Sequence, residues 1–348
     1  MTTVPTRAAA EAPAARVHRM ATAGWMSIAL SAAARLGLAD AVDEEGATIE
    51  DVALRSGTDP ARLARLLRAL AGAGVFAHDA DGRVVHTDLS RVLRRDHPVS
   101  LRSLVTMLGE ESLLVWTGLV DTLRGGPPAF DRLFGAPFYE YLGRHPDKAE
   151  TFDRGIEERH AAVQADLAEA LPLEGVGHLV DVGGGGGVLA AEILRAHPGL
   201  RVTLVDRPTV AARAAAALTA ADLGGRGTAV AGDFFAALPA GADAYLVAST
   251  LHNWPDPRAV DLLRVCRRAM RPDSRLLLVE LVVPPGDEPH FAKLLDLGVM
   301  LLMDGAERTL EQHGVLLAAA GLRVRRTLPA ARMTVIEAVP EDAGGAGR

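Results

Sequence analysis

A single cysteine, Cys266, in 348 residues leaves no partner for an intrachain disulfide. A disulfide framework is therefore excluded, and a reducing cytoplasm is the expected compartment. Cys266 itself reads as a small buried apolar residue on a helix. Aromatic residues make up only 4% of the chain, so any local concentration of them is informative. There is no uninterrupted apolar run of about 18 residues, hence no expected membrane span. The first fifteen residues, mostly Ala, Pro and Thr, lack the apolar centre of a secretory signal. Cationic residues are not in excess either: 37 Lys plus Arg stand against 44 Asp plus Glu, a net charge of −7, which argues against a general polyanion binder. Hydrophobic residues are plentiful at 49%. At this length they suffice for two cores, and two domains are the expectation. Residues 1–15 and 341–348 read as disordered tails.

Residues 16–100 read as mainly helical. Met20, Trp25, Ile28, Ala29, Ala32, Ala33 and Leu36 recur at helical spacing and cover more than one face of a first helix. A helix apolar on two sides needs a second partner, so a subunit interface is expected there. Thr48, three residues before Asp51, caps a short helix to about Arg55, and Gly57-Thr58-Asp59-Pro60 turns the chain into another over 60–72. In that second helix Leu63, Leu66, Leu67 and Leu70 form one buried stripe. Two short apolar runs around Asp79-Ala80-Asp81-Gly82 then make a hairpin. Helix, turn, helix and hairpin are a winged-helix module. Such modules often bind DNA, and Arg62, Arg65 and Arg68 lie on the polar side of the would-be recognition helix. Residues 1–170, however, carry 19 Lys plus Arg against 24 Asp plus Glu, a net −5, whereas duplex binding needs surplus cations. Packing or dimerisation is the expected role.

Residues 101–174 read as a helical linker interrupted by Gly125-Gly126-Pro127-Pro128. Large side chains cluster here, among them Met107, Trp116, Phe130, Phe134, Phe138, Tyr139, Tyr141 and Phe152. They are expected either as a core for these helices or as the wall of an apolar cavity for a flat ligand.

From residue 175 to 340 strands and helices alternate. Leu179-Val180-Asp181-Val182 is followed by five glycines, Gly183 to Gly187, and then by a helix-period pattern from Val188: strand, tight turn, helix. Further strands are expected at 201–206, 228–231, 243–249 and 275–283, with helices between them and at about 291–303 and 309–320. Two closing strands, 322–328 and 333–339, should pair antiparallel at one edge. The pattern is a doubly wound α/β sheet, which binds ligands beyond the carboxyl ends of its strands. Gly183, Asp206, Asp233 and His252 all follow strands on that side.

Three ligands compete for the glycine turn. A phosphate-cradling P-loop needs a Lys directly after the glycines, and none follows in this helix. A dinucleotide fingerprint needs glycines at i, i+2 and i+5, but the third position falls on Val188 or Leu189. The remaining reading is an adenosine without pyrophosphate. Asp206 would accept from both ribose hydroxyls, and Asp233-Phe234 would offer an acceptor and a ring face to adenine.

Asp181-Val182-Gly183-Gly184-Gly185, Asp206, Gly232-Asp233-Phe234-Phe235 and Leu251-His252-Asn253-Trp254-Pro255-Asp256 resemble the motifs of class I S-adenosylmethionine-dependent O-methyltransferases. More narrowly, they resemble the branch of plant caffeic-acid-type enzymes and bacterial aromatic polyketide O-methyltransferases. The resemblance covers nearly the whole chain and implies a Rossmann-like methyltransferase sheet with an amino-terminal winged-helix dimerisation domain, hence a homodimer. It implies S-adenosylmethionine as cofactor, no metal, and S-adenosylhomocysteine as product. Gly183 would touch the methionine part, with Asp181, Gly185, Gly232 and Ser249 completing the cofactor set. His252 matches the family's general base, and Glu280 and Glu307 match the acids that orient it. Ala248 departs from the lysine found in plant members. Trp116, Phe138, Asn253, Trp254 and the adaptable Met107, Met300 and Met303 are expected to line the substrate cavity. The remaining histidines, including His78, His86, His145, His160, His178, His290 and His313, show no metal-ligand spacing and read as surface or packing residues.

Methyl transfer from a sulfonium is an in-line displacement, which needs a nucleophilic oxygen held close to the methyl carbon. A phenol of pKa about 10 is matched by a histidine that takes its proton as attack proceeds. A phenolic hydroxyl on an aromatic secondary metabolite is the expected acceptor, with no nucleic acid or membrane as partner. The alternatives are a relative that decarboxylates or hydroxylates a polyketide at the same cofactor site, and a ligand-sensing DNA-binding regulator. Which acceptor, which hydroxyl, and whether Glu280 or Glu307 orients His252 are left open by the sequence.

Overall fold

The computed structural model describes residues 12–161 and 163–341. Of the tails expected over 1–15 and 341–348, residues 1–11 and 342–348 lie outside the described residues, while 13–15 are helical. The chain divides into two compact units, residues 1–111 and 112–348, so the helical stretch expected over 101–174 is shared between them.

In the first unit the opening helix runs Pro13–Arg35. It starts before residue 16, since a proline at the first helical position gives up only an N–H that has no helical acceptor. Val17, Met20, Trp25 and Ile28 are exposed on it, Trp25 at 71%. Thr48 accepts the Asp51 N–H at 3.1 Å and starts the helix Ile49–Ser56. Asp59 caps Pro60–Gly72 by accepting the Arg62 N–H at 2.8 Å. Leu63, Leu67 and Leu70 pack with Val52, Phe76 and Val84, and strands β1 (Phe76–His78) and β2 (Val84–His86) pair antiparallel as the wing. The helix Arg102–Gly109, which carries Met107, lies on the opening helix, with Gly109 so close to Ser31 that a Cβ would overlap it.

Among the described residues the segment Arg102–Leu123 is long and apolar enough, by length and composition alone, to qualify as a membrane span, with a mean hydropathy of 1.2 over its most apolar window. A span needs about 20 residues of unbroken helix with its hydrogen bonds internal. Here the helix stops at Glu110, whose ψ of −125° is not helical, and the acids Glu110 and Glu111 sit mid-stretch.

The second unit is built on a seven-stranded sheet. Its strands are β3 (His178–Val182), β4 (Arg201–Asp206), β5 (Gly227–Ala231), β6 (Ala244–Ala248), β7 (Arg275–Glu280), β8 (Leu322–Ala330) and β9 (Met333–Pro340), in the order β5-β4-β3-β6-β7-β9-β8. β3 to β7 are parallel, and β9 runs antiparallel between β7 and β8. Alternate residues feed two cores: Leu179, Leu204, Leu246 and Leu277 on one face, Val180, Val205, Tyr245 and Leu276 on the other. Burial on both faces is what a parallel sheet requires. Cys266 is buried in the second of these cores, as expected. The strand expected to reach residue 283 ends at Glu280, where its pairing with Thr334 is the last. Beyond it Val283 donates its N–H to the Arg308 carbonyl at 2.9 Å, and Pro284 and Pro285 have no N–H for a ladder. Order reverses between β3 and β6, the crevice where such sheets bind ligands.

Candidate functional site

The carboxyl ends of five adjacent parallel strands deliver the site. β3 leads into Gly183, β4 ends in Asp206, β5 leads into Gly232, β6 into Ser249, and β7 ends in Glu280. The glycine turn takes left-handed backbone at Gly183 (φ +74°), Gly185 (φ +59°) and Gly187 (φ +81°), so only glycine enters without strain. At Gly184 space forbids a side chain as well, since a Cβ would overlap the Asp181 carboxylate and Leu204. The Gly185 N–H donates to Asp206 Oδ2 at 3.0 Å, and the Arg207 N–H to Oδ1 at 2.7 Å. Two backbone donors thus fix a buried carboxylate facing the turn.

A cavity opens beside this turn. Asp181, the glycines and Ser249 form one side, and Glu157, His160 and Gln164 form the other. Ser249 holds a positive φ of 47°, strained for a residue with a Cβ. Asp181 is 1% exposed, its Oδ2 has no partner, and burial followed by the nearby Asp206 charge pushes its pKa up to about 7. Gln164 is also buried, with Oε1 unpartnered. Orphaned acceptors around a glycine turn fit a ligand that brings its own donors, such as the ammonium of a methionine moiety. His160 was expected as a surface or packing residue. Instead it lines the cavity, with burial first and then Arg159 lowering its pKa to about 4.

Asp206, Gly232, Asp233 and Phe234 gather at the carboxyl ends of β4 and β5. Gly232 donates its N–H to the Asp206 carbonyl at 2.9 Å. Asp233 is exposed, with Oδ1 accepting the Phe235 N–H at 2.9 Å. Phe234 sits against Gly183, where a Cβ would lie 3.5 Å from its ring. Trp254, expected in the substrate wall, stands between Tyr139 of an apolar cluster and the rings of Phe234 and Phe235. Its ring stacks on Tyr139 at 5.8 Å and meets Phe235 edge-on at 4.7 Å and Phe234 at 6.3 Å.

His252 stands on a short 3-10 turn, Leu251–Asn253, after β6. Its Nδ1 is 2.6 Å from Glu307 Oε1 and 3.7 Å from Glu280 Oε2. The acids divide the work. Glu307 makes the direct bond, while Glu280 Oε1 accepts the N–H groups of Leu251 (2.8 Å) and Thr250 (3.2 Å) and so holds the turn. Oε2 of each acid is buried and makes no hydrogen bond among the described residues. Burial disfavours the imidazolium, but the Glu280 charge and the Glu307 bond outweigh it and hold the His252 pKa above the ordinary value. Glu280 is pushed up to about 7, mainly by burial.

The loop that carries Glu307 is clamped from several sides. Asp296 Oδ1 accepts the Glu307 N–H at 2.9 Å, and Ala306 donates to the His252 carbonyl at 2.9 Å. The buried Arg308 donates to Asp256 (2.7 Å) and to the Trp254 carbonyl (2.8 Å). Asp296, Thr250 and Arg308 were not singled out from the sequence. One atom each of His252, Glu280 and Glu307 lies within 4.8 Å of the others, a grouping that also suits a metal. Two ligands of one tetrahedral zinc stand roughly 3.3 Å apart given bonds of about 2.0 Å, so the 2.6 Å contact is a hydrogen bond.

Of the residues expected to line a substrate cavity, Trp116, Phe138, Met300 and Met303 join one apolar cluster. Phe138 is enclosed by Phe130, Tyr139 and Phe152 and belongs to the core of that cluster. Asn253 is half-buried next to His252. Met107 is half-buried on a helix of the first unit.

A doubly wound sheet with a glycine turn, an orphan-lined cavity at its switch point and a carboxylate-held histidine beside it has the build of an enzyme that binds a nucleoside cofactor. Residues 116–323 match the O-methyltransferase domain and residues 19–96 the O-methyltransferase dimerisation domain. Phenazine O-methyltransferase PhzM of Lysobacter antibioticus is 37% identical over 92% of this chain and 95% of its own length. Aclacinomycin 10-hydroxylase RdmB of Streptomyces purpurascens is 38% identical over 85% and 80%. The O-methyltransferase NcsB1 of neocarzinostatin biosynthesis, solved with S-adenosylmethionine and 2-hydroxy-5-methyl naphthoic acid, superposes with a TM-score of 0.83 at 32% identity. It covers 95% of this chain and all of that one. The chain belongs to the O-methyltransferase family, with S-adenosylmethionine as its methyl donor.

Proposed function

We propose that the enzyme methylates a phenolic hydroxyl of an aromatic secondary metabolite, with His252 as general base, and that it works as a homodimer through the first unit. The observation that carries this reading is the 2.6 Å contact between His252 Nδ1 and Glu307. A carboxylate there accepts Nδ1–H, which fixes the tautomer with Nε2 unprotonated. Nε2 has no partner among the described residues, so its lone pair is free to accept a proton. The flanking acids favour the imidazolium that results. S-adenosylmethionine, when bound, supplies an electrophilic methyl group. Asp206 and Phe234 would hold its nucleoside, and Gly183, Asp181 and Gln164 would face its methionine end. The exposed apolar face of the helix Pro13–Arg35 and the matched dimerisation domain support the dimer.

The hydroxylase relative keeps a second reaction in view, which product analysis separates. Aromatic hydroxyl compounds incubated with trideuteromethyl-labelled cofactor should gain the labelled methyl on oxygen. Loss of carbon dioxide or gain of oxygen without label would overturn the proposal.

A further inference from the structure

The helix Pro146–Ala161 runs past both halves of the site. Phe152, Ile156 and Arg159 fall at i, i+4 and i+7, on one face. Phe152 meets the aromatic cluster, with its ring 4.9 Å from Phe138, while Ile156 and His160 line the cofactor cavity. Arg159 continues that face one turn beyond Ile156, next to the cavity-lining His160. Its charge reaches the reacting group, opposing the protonation of His252 and interacting with Glu307.

Arg159 is half-buried, and among the described residues it has neither a hydrogen bond nor an ion pair. Its guanidinium carbon lies 5.4 Å above the Phe291 ring. Other arginines of this unit are committed: Arg213 to Asp153, Arg308 to Asp256, Arg271 to Asp243. Glu307, the acid that feels Arg159, is already bonded to His252. A guanidinium withdrawn from water without a counter-charge is costly. Its planar fork of donors matches a carboxylate in two parallel bonds. The two acids beside His252 would otherwise repel an anionic acceptor, and Arg159 offsets them.

We infer that Arg159 forms a carboxylate subsite, so that the preferred acceptor is a hydroxy-aromatic acid rather than a neutral phenol. The subsite rests on the methyl-transfer reading for its place in the reaction, and it is a specificity determinant distinct from the proton-accepting His252.

The full-length enzyme saturated with S-adenosylhomocysteine is titrated calorimetrically with 3-hydroxy-2-naphthoate and with its methyl ester, and methyl transfer to both is followed. The wild type should bind the acid about tenfold or more tighter than the ester. Arg159→Met should abolish that preference by weakening the acid about 10- to 100-fold, in line with loss of a charge-assisted pair, while leaving the ester and S-adenosylhomocysteine within about twofold. Arg159→Lys, which keeps the charge and loses the fork, should keep part of the preference, and it decides the matter should the Met variant not fold. A wild type indifferent to acid and ester, or variants that weaken both alike, would overturn the subsite. So would a displaced pH profile with unchanged discrimination, since Arg159 would then act on His252 alone. Arg159-dependent binding of the acid with no methyl transfer to any phenol would instead overturn the methyl-transfer reading and uphold the subsite.

Discussion

Glu307→Gln isolates the charge that holds His252. The amide oxygen of glutamine can still accept Nδ1–H, so the tautomer and ring orientation survive and only the negative charge goes. In the native enzyme the bond is short, 2.6 Å, and its acid is 5% exposed, conditions under which a charge-assisted hydrogen bond contributes about 1.5–3 kcal/mol. That interaction is fully expressed only once His252 is an imidazolium, so it acts on the transition state. At about 1.4 kcal/mol per tenfold, kcat should fall roughly 10- to 100-fold while cofactor affinity stays the same. The pH profile supplies an independent sign. A base must be neutral to act, so kcat/KM rises with pH through the pKa of the cluster, which in the wild type lies above the ordinary 6.5 for histidine. Removing the Glu307 charge takes away part of what raises it, and the rising limb should move to lower pH. The assay is S-adenosylhomocysteine release from a phenolic acceptor, measured across pH. Turnover within about twofold of wild type, with an unmoved limb, would refute the assignment of Glu307.

Asp206→Ala removes the acceptor fixed by the Gly185 and Arg207 N–H groups; S-adenosylmethionine binding by calorimetry should weaken by roughly 1–3 kcal/mol, and undiminished affinity would remove Asp206 from the ribose site. Gly184→Ala drives a methyl group into the Asp181 carboxylate and Leu204; urea unfolding should show a loss of about 1–3 kcal/mol, whereas unchanged stability would mean the turn relaxes freely.

The parts of this fold legible in the sequence are those where local chemistry leaves little choice. Thr48 and Asp59 cap helices through their own side chains, the glycine run marks the first crossover, and Leu-rich stripes fix which faces are buried. His252, Glu280 and Glu307 were placed together through a family resemblance, and their division of labour needed coordinates: a separation of 55 residues along the chain says nothing about which carboxylate reaches Nδ1. The strand ending at Glu280 was overestimated because Leu281-Val282-Val283 continues its β-branched character. What stops it is the end of the partner strand, a tertiary fact. The helix Pro146–Ala161 falls within the stretch read as helical, but the direction of its inner face was not legible. Its residues alternate charge with bulk, as solvated helices do, so Glu157, Arg159 and His160 carried no local sign that this face is turned toward the cavity. For Trp254, motif membership gave the neighbourhood but not the direction of its ring, which Tyr139 and Phe235 set.

The central claim is that His252 removes a phenolic proton during methyl transfer. It is tested most directly by comparing wild type with His252→Ala over a series of phenols of falling pKa. For an ordinary phenol near pKa 10 the variant should be slower by about 100-fold or more. The gap should close for phenols acidic enough to be ionised at the assay pH, because nothing remains for the base to do. A deficit that stays constant across the series, or no deficit for the least acidic phenol, would contradict the account.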